Sequence, residues 1–473
     1  MDNMIKTDIC VIGGGSGGLA FAEKAVQMGA SVVIVEKGKM GGDCLFHGCV
    51  PSKAILASAR IAKYVATSRE YGVIDNKVAA DYKKIRQHIY ESIADIAPHD
   101  SKERFESLGV KVIHGFASFK NKKEIRVGEI TIRAKRFVVA TGSSAKAPPI
   151  FGLEGTPYYT NETIFDLEKQ PKHLIVIGGG PIGCELSQAH CLLGTPVSLI
   201  QRGKILSKDD PELTEVVRDQ FIQDGLNLYE DAQIKEVMKT KVGVQVVFEH
   251  DGATKKLQGS HLLIAVGRQP NLQGLNLEAA GIQYTPRGIT VNTCLRSSNR
   301  RVYAIGDIAG GYQFTHIAHY HADIVLKNIL FHWPAKVHYH AVPWVTYVEP
   351  ELGHVGMSET EAREKYKNIR VLKLPFHDND RAVTERRTSG FIKVIANRKG
   401  IILGAEIVGH DADELIGLWA YVISNKLPIK SLTNFIVPYP TRTELSKAIA
   451  QLYYKPLIYS SWMKKLVKFL MWF

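Results

Sequence analysis

The chain has 473 residues, a formal net charge of +13 at pH 7 and six cysteines. That length has room for about three domains, and so few cysteines exclude a small disulfide-stapled scaffold. The positive balance asks for an anionic partner, but no nucleic-acid motif accompanies it; a phosphate-rich cofactor or a membrane surface fits better.

Met1 to Asp8 carries no cationic, apolar, cleavable leader and runs straight into the strand Ile9-Cys10-Val11-Ile12. A cytoplasmic, reducing compartment is expected. The strand ends in Gly13-Gly14-Gly15-Ser16-Gly17-Gly18, followed by a helical Leu19-Ala20-Phe21-Ala22-Glu23 and a second strand, Ser31 to Glu36. Gly13, Gly15 and Gly18 permit a tight turn and close backbone approach, the helix N-terminus receives a pyrophosphate, and Glu36 accepts hydrogen bonds from a ribose. Strand, glycines, helix, strand and acid in that order predict a dinucleotide site.

Next comes Gly41-Gly42-Asp43-Cys44-Leu45-Phe46-His47-Gly48-Cys49-Val50-Pro51-Ser52-Lys53, with two cysteines five positions apart. Pro51 and Ser52 read as the opening of a helix running through Ala57. Cys49 then sits at the positive end of a helix dipole, where a thiolate is stabilised. The alternative, a pair of ordinary loop cysteines, is disfavoured by the flanking Gly and Pro. In a reducing compartment a Cys44–Cys49 disulfide would be catalytic, and Cys10, Cys184, Cys191 and Cys294 read as buried small hydrophobes.

Residues 60 to 110 read as helical and charged. His88, His99 and His114 are expected to be solvated or packing residues, because no second ligand stands at metal-site spacing. A strand-rich stretch leads to Phe137-Val138-Val139-Ala140-Thr141-Gly142-Ser143, with Pro148-Pro149 as a linker signal.

The pattern then repeats. Leu174-Ile175-Val176-Ile177 enters Gly178-Gly179-Gly180-Pro181-Ile182-Gly183-Cys184-Glu185, a helix, and the strand Val197 to Ile200, predicting a second dinucleotide unit. Here the strand ends in Gln201-Arg202-Gly203-Lys204 instead of an acid. Arg202 and Lys204 suit the 2′-phosphate of NADPH, favoured over NADH; the alternative is a pair of solvated surface cations. Leu262 to Asn271, through Gly267, closes this unit, and Val302-Tyr303-Ala304-Ile305 runs into Gly306-Asp307.

With these motifs in order, the sequence resembles the flavoprotein disulfide reductases, the group of glutathione reductase, dihydrolipoamide dehydrogenase and mercuric reductase, over roughly residues 5 to 450. The resemblance implies an α/β fold: two doubly wound, Rossmann-like domains for FAD and NAD(P), and a C-terminal α+β dimerisation domain. The expected division is 1–150 with 273–340 for FAD, 151–272 for NAD(P), 341–450 for a homodimer interface, and 451–473 as a basic amphipathic tail. Glu36 would meet the adenosine ribose and Asp307 the ribityl chain, with Gly42, Thr141, Gly142 and Gly267 in the cofactor-binding set. Lys53 would lie near the flavin and pair with Glu185. Electrons would pass from NAD(P)H through FAD to the Cys44–Cys49 disulfide, Cys49 facing the flavin and Cys44 meeting a small-molecule acceptor: a disulfide, a metal ion or a quinone.

One departure bears on that acceptor. Where glutathione reductase and dihydrolipoamide dehydrogenase have His-Pro-Thr-x-x-Glu, this chain reads Tyr439-Pro440-Thr441-Arg442-Thr443-Glu444. A phenol with a pKa near ~10 is a poor base at pH 7, so exchange with glutathione or lipoamide is not expected to be typical. Tyr439 either takes part in catalysis or packs at the dimer interface. Mercuric reductase has a Tyr in this segment too, yet no cysteine follows Cys294, so efficient Hg(II) reduction is not expected. Asp43 and Phe46 also stand where the relatives usually show Thr and Asn. The alternatives are dihydrolipoamide dehydrogenase chemistry with Tyr439 replacing the histidine base, and a membrane-associated redox-sensing flavoprotein.

No acid follows Glu444. A helix from Ser461 would set Trp462, Leu466, Phe469, Leu470 and Phe473 on one side and Lys464, Lys465 and Lys468 on another. That pattern suits contact of residues 461–473 with the inner face of a membrane, or packing on the partner subunit.

Overall fold

The computed structural model describes residues 4–73 and 79–473. Its contacts divide into two units: Met1–Lys172, Glu236–Gln245 and Gln258–His338 form the first, and His173–Lys235, Val246–Leu257 and Tyr339–Phe473 the second.

In the first unit, β1 (Met4–Ile12) and β2 (Val32–Glu36) pair in parallel, Ile9 opposite Val32 through Ile12 opposite Val35, across α1 (Ser16–Gln27). A parallel pair needs such a crossover and buries both faces, which is why these strands read as unbroken apolar runs. Strand alternation divides each run between two cores. Cys10, Ile12, Val33 and Val35 face one; Ile9, Val11, Val32 and Ile34 face the other, where Leu19, Phe21 and Ala22 of α1 cover them.

Between β2 and β3 (Lys111–His114) the chain is helical: α2 (Gly42–Phe46), α3 (Cys49–Thr67), α4 (Tyr82–Ile96) and α5 (Lys102–Ser107). His88, His99 and His114 are all exposed. On the other side of β1 lies β6 (Ile130–Val139), also parallel, then the antiparallel β5 (Glu124–Val127) and β4 (Ala117–Asn121). The strand Val302–Ala304 pairs in parallel with β6, Val302 opposite Phe137. The carboxyl ends of β1, β6 and this strand therefore meet, as Ala140 N–H bonds Ile12 O and Ile305 N–H bonds Val139 O. That junction brings together Gly13, the Ala140-Thr141-Gly142 turn and Gly306-Asp307, at the end of the sheet where open α/β folds bind ligands.

The second unit repeats the parallel design on a smaller scale: β7 (Leu174–Ile177), β8 (Val197–Ile200) and β9 (Asn227–Tyr229) are neighbours in that order, with α6 (Pro181–Leu192) as the crossover between β7 and β8. The same unit holds a five-stranded antiparallel sheet in the order Pro343–Thr346, Glu351–Gly356, Ile402–Gly409, Phe391–Asn397, Ile369–Pro375. Helices Ala412–Ser424 and Glu444–Ile458 share its core, where the buried Trp419 donates from Nε1 to Ser446 Oγ at 3.2 Å. Lys393, on the strand Phe391–Asn397, is buried and is neutralised by Asp210 at 2.8 Å, Glu359 at 2.9 Å and Glu212 at 3.1 Å. The fold is thus the α/β class with an α+β C-terminal part that the sequence predicts. Among the described residues no helix is long and apolar enough to cross a membrane.

Candidate active site

The glycine loop after β1 is shaped for a dinucleotide. Gly13 has φ +112°, and a Cβ there would lie 2.3 Å from Ala140 O, so no other residue fits the turn. Gly15 caps α1 without a side-chain hydrogen bond, and the first turn carries no acid. The N–H groups of that turn are left for an anion, which the macrodipole favours. Gly18 lies in the same turn, close against Gly13 O. Glu36 closes the end of β2: its carboxylate accepts from Gly14 N–H at 2.5 Å and Gly38 N–H at 2.7 Å, and it borders a cleft of about 330 Å³ that Met40, Phe46 and His114 also line. Residues of this loop fit the phosphates and the adenosine end of FAD.

The cysteine loop packs directly on this turn. Gly41 N–H bonds Gly14 O at 2.8 Å, and a Cβ on Gly42, at φ +67°, would stand 2.7 Å from Gly15 Cα. Here the sequence expectation needs adjustment: Cys44 lies within the short α2, and α3 begins at Cys49 itself, two residues before Pro51. Cys49 is thus the first residue of a 19-residue helix, and Lys53 follows one turn on along the same face. No disulfide joins the two cysteines in this arrangement. Thr315, the first residue of the helix Thr315–Leu330, donates its hydroxyl to Cys44 Sγ at 3.1 Å and lies 3.6 Å from Cys49 Sγ. A hydrogen bond to Cys49, and then burial, push the Cys44 thiol well above its ordinary range, with Thr315 pulling the other way. Of the remaining four cysteines, Cys10 and Cys184 are buried as expected; Cys191 and Cys294 are half-buried.

A chain of polar contacts joins Asp307 to the cysteine loop. Ser143 Oγ donates to Asp307 Oδ2 at 2.5 Å, Arg268 donates from Nε to Ser143 Oγ at 2.8 Å and from Nη2 to Ser143 O at 2.6 Å, and the same Nη2 lies 2.9 Å from Asp43 Oδ2. Burial pushes the Asp43 carboxyl above its usual range while Arg268 pulls it down. Asn271 locks the neighbouring turn, donating from Nδ2 to Thr141 O at 2.9 Å while Thr141 Oγ1 donates to Asn271 O at 3.0 Å. Gly142 and Gly267 both take positive φ on these paired segments. Gly267 belongs by its contacts to the first unit.

In the second unit the glycine loop repeats. Gly178 has φ +112°, Gly180 caps α6 without a side chain, Pro181 opens the helix, and Gly183 is buried in its first turn. Gln201 takes the place that Glu36 has in the first loop, its Oε1 accepting from Gly179 N–H at 2.8 Å. An amide here makes the same backbone bond without a negative charge. Arg202 is exposed, whereas Lys204 is held by Asp231 at 2.8 Å and Glu230 at 3.5 Å. Glu185, buried on α6, accepts from Tyr347 N–H at 3.0 Å, and Gln188 one turn on exchanges two 2.7 Å bonds with the backbone of Glu349.

Tyr439 and Glu444 do not form the dyad that a histidine would. Tyr439 is 71% exposed and donates to Asp380 Oδ2 at 2.9 Å, an interaction that raises the phenol above its ordinary pKa. Glu444, the first residue of the helix Glu444–Ile458, instead accepts from Thr441 N–H at 3.2 Å in the turn that leads into it. Nearby, Glu349, Glu351 and His410 gather within ligand distance of one another, but Arg387 and His410 both reach Glu349 Oε1, at 3.4 and 3.3 Å, so the cluster carries its own counter-charges.

The sequence reading missed Thr315, Ser143, Arg268 as an ion-pair partner, and His321. His321 is buried and its Nδ1 accepts from Gly306 N–H at 3.1 Å, shaping the Gly306-Asp307 turn. A threonine opening an apolar helix just after Gly310-Gly311 was the available signal for Thr315.

The pyridine nucleotide-disulphide oxidoreductase family model matches residues 7–322, and its dimerisation-domain model matches residues 342–449, which supports a homodimer. Mercuric reductase of Lysinibacillus sphaericus is 32% identical over 94% of this chain and 82% of its own length. Dihydrolipoyl dehydrogenase of Geobacillus stearothermophilus is 32% identical over 95% of this chain and 97% of its own. Among solved structures, the HOCl-induced flavoprotein disulfide reductase RclA of Escherichia coli, in its Cu(II) complex, superposes with a TM-score of 0.85 at 26% identity, covering 94% of this chain and 100% of that one. With those matches spanning nearly its whole length, this chain belongs to the pyridine nucleotide-disulphide oxidoreductases, FAD-dependent enzymes that draw electrons from NAD(P)H.

Proposed function

We propose that the enzyme uses NADPH to reduce a small acceptor that needs no protonated leaving group, a soft metal ion or a quinone, in preference to glutathione disulfide or lipoamide. The observation that carries this reading is the engagement of the Tyr439 hydroxyl with Asp380. Reducing an organic disulfide expels a thiolate, and without an acid beside it that thiolate is a poor leaving group. A soft cation held between two sulfurs, or a quinone, makes no such demand.

Bound FAD supplies the two-electron relay between nicotinamide and sulfur. The chain's own residues do the rest. Thr315 keeps the sulfurs of Cys44 and Cys49 on one hydroxyl, and Cys49, the first residue of α3, is placed where a helix N-terminus favours a thiolate. Oxidation of the dithiol forms the Cys44–Cys49 bond and releases two protons and two electrons, the electrons going to the acceptor. In this reading Lys53 acts beside the flavin, Glu185 beside the nicotinamide, and Gly178, Gly180, Gly183, Arg202 and Gly267 hold NADPH. The domain assignment follows the same reading: 1–150 with 273–340 for FAD, 151–272 for NAD(P), and 341–450 for the dimer interface. That RclA has been solved as a Cu(II) complex is in keeping with a metal acceptor.

The test is anaerobic titration with NADPH followed by an acceptor screen. A long-wavelength charge-transfer band after two electrons, lost in Cys49→Ser, together with faster NADPH oxidation by Cu(II) or a quinone than by glutathione disulfide or lipoamide, is expected. Efficient lipoamide turnover that Tyr439→Phe abolishes would overturn the reading in favour of dihydrolipoamide dehydrogenase chemistry.

A further inference from the structure

The C-terminal helix Ser461–Leu470 has no buried residue, although most of it is apolar. Ser460 caps it, accepting from Met463 N–H at 3.3 Å, so it is a helix with a defined start. At 100° per residue, Trp462, Leu466, Phe469, Leu470 and Phe473 share one arc, and Lys464, Lys465 and Lys468 occupy the opposite one. Phe469 and Phe473 meet edge to face at 5.5 Å along the apolar arc. Trp462, Phe469 and Leu470 are each about 60% exposed, and Leu457, Ile458 and Tyr459 before them are at least half exposed.

Two covers suit such a face: a lipid surface or a second copy of the chain. Charge favours lipid. Residues 445–473 contain five lysines and no acid, and the three lysines of the helix stand together on the arc opposite its apolar one, where their long stems can reach toward lipid headgroups. Tyr459, Trp462 and Trp472 add the side chains that settle at the boundary between headgroup and acyl chain. The family's dimerisation segment ends at residue 449, before this helix begins. At ten residues the helix is about 15 Å long, half of a bilayer's hydrocarbon thickness, and so too short to span one.

We propose that residues 461–473 dock this enzyme on an anionic lipid surface, the Trp462, Leu466, Phe469, Leu470 and Phe473 face entering the acyl boundary and Lys464, Lys465 and Lys468 contacting lipid phosphates. The proposal is independent of the acceptor reading, because it concerns where the enzyme sits.

The experiment is flotation of the FAD-loaded full-length protein with phosphatidylcholine vesicles made with or without phosphatidylglycerol. The chain ending at Ser460, the triple variant Lys464→Gln, Lys465→Gln, Lys468→Gln, and the double variant Phe469→Ser, Phe473→Ser are run beside it, each checked for flavin content and dimer mass. The full chain should float only with the anionic vesicles, the truncated chain and the Phe variant should not float, and the Lys variant should bind about 100-fold more weakly. Failure of the full chain to float overturns the proposal, as does equal flotation of the truncated chain. A full chain that ignores vesicles while the truncated one falls to a monomer would assign the face to a second copy. If the truncated chain does not fold, the folded Lys variant decides: unchanged binding overturns the proposal.

Discussion

Arg268 and Asp43 are paired at 2.9 Å across 225 residues of sequence, and the same guanidinium holds both the hydroxyl and the carbonyl of Ser143, whose hydroxyl bonds Asp307. The acid beside Cys44 is therefore tied to the turn that carries Asp307. Arg268 is largely buried and Asp43 two-thirds so, which makes an unpaired Asp43 costly. Arg268→Gln should lower stability by about 1–2 kcal/mol, less than for a fully buried pair because Asp43 keeps some solvent. Adding Asp43→Asn should recover most of that loss. Urea unfolding of both singles and the double forms the cycle, and additive effects would mean the two residues do not interact in solution.

Gly42→Ala tests the seat of the cysteine loop. The new methyl would stand 2.7 Å from Gly15 Cα at a backbone angle of +67°, against the Gly15 backbone with no flexible side chain to yield. The loop can only move off the glycine turn, so the variant should lose flavin, read as the ratio of absorbance near 450 nm to that at 280 nm. Gly155→Ala, whose nearest neighbour would be an oxygen at 3.9 Å, is the control and should keep its flavin.

What the sequence discloses here is local. Gly13, Gly178 and the start of α3 declare themselves because a tight turn or a helix end restricts a few adjacent residues to particular types. The buried strands declare themselves as apolar runs for the same reason. Thr315 and Arg268 lie 266 and 225 residues from the groups they contact, and no periodicity points to a partner that only the folded sheet brings near. Cys44 lies between these cases: its importance is legible from spacing, but its place on a separate short helix is not, because that helix has only five residues and no side-chain cap.

His321 gives the enzyme an acid-sensitive element. Burial lowers its pKa from the ordinary 6.5 to about 4, and Nδ1 must stay unprotonated to accept from Gly306 N–H. Between those values the unfolded chain binds a proton that the folded one does not, so stability rises with pH there and is lost as pH falls from 6.5 toward 4. The contribution is about 1.4 kcal/mol per pH unit. His321→Asn, which offers an amide oxygen in place of Nδ1, should flatten that part of the profile, measured as urea midpoints from pH 7 to pH 4.5. An unchanged slope would place the acid sensitivity elsewhere.

Tyr439→His examines whether the missing imidazole limits the acceptor range. With Tyr439 bonded to Asp380 and its phenol raised, Tyr439→Phe should leave NADPH oxidation by a metal ion or quinone within about twofold. Tyr439→His should raise lipoamide turnover by about 10²-fold, at the lower end of what a positioned acid or base contributes. Glu444 is occupied by Thr441 N–H through one oxygen, leaving the other to orient the new ring.

The proposed preference for NADPH draws on the contrast between Gln201 and Glu36. Each accepts from the second glycine of its loop, at 2.8 and 2.5 Å, but only Glu36 brings a negative charge to the ribose position. A carboxylate there repels a 2′-phosphate; the amide of Gln201 does not. Lys204 is engaged by Asp231 and Glu230, so Arg202 is the cation left to meet that phosphate. Arg202→Ala should raise KM for NADPH about 10-fold while leaving NADH within twofold, since removing one exposed charge-assisted contact costs about 1.5 kcal/mol. Gln201→Glu should act in the same direction by adding repulsion, and the two together should invert the preference. Steady-state kcat/KM with both nucleotides decides the matter: equal losses for NADPH and NADH in Arg202→Ala would mean the residue supports the loop and does not read the phosphate.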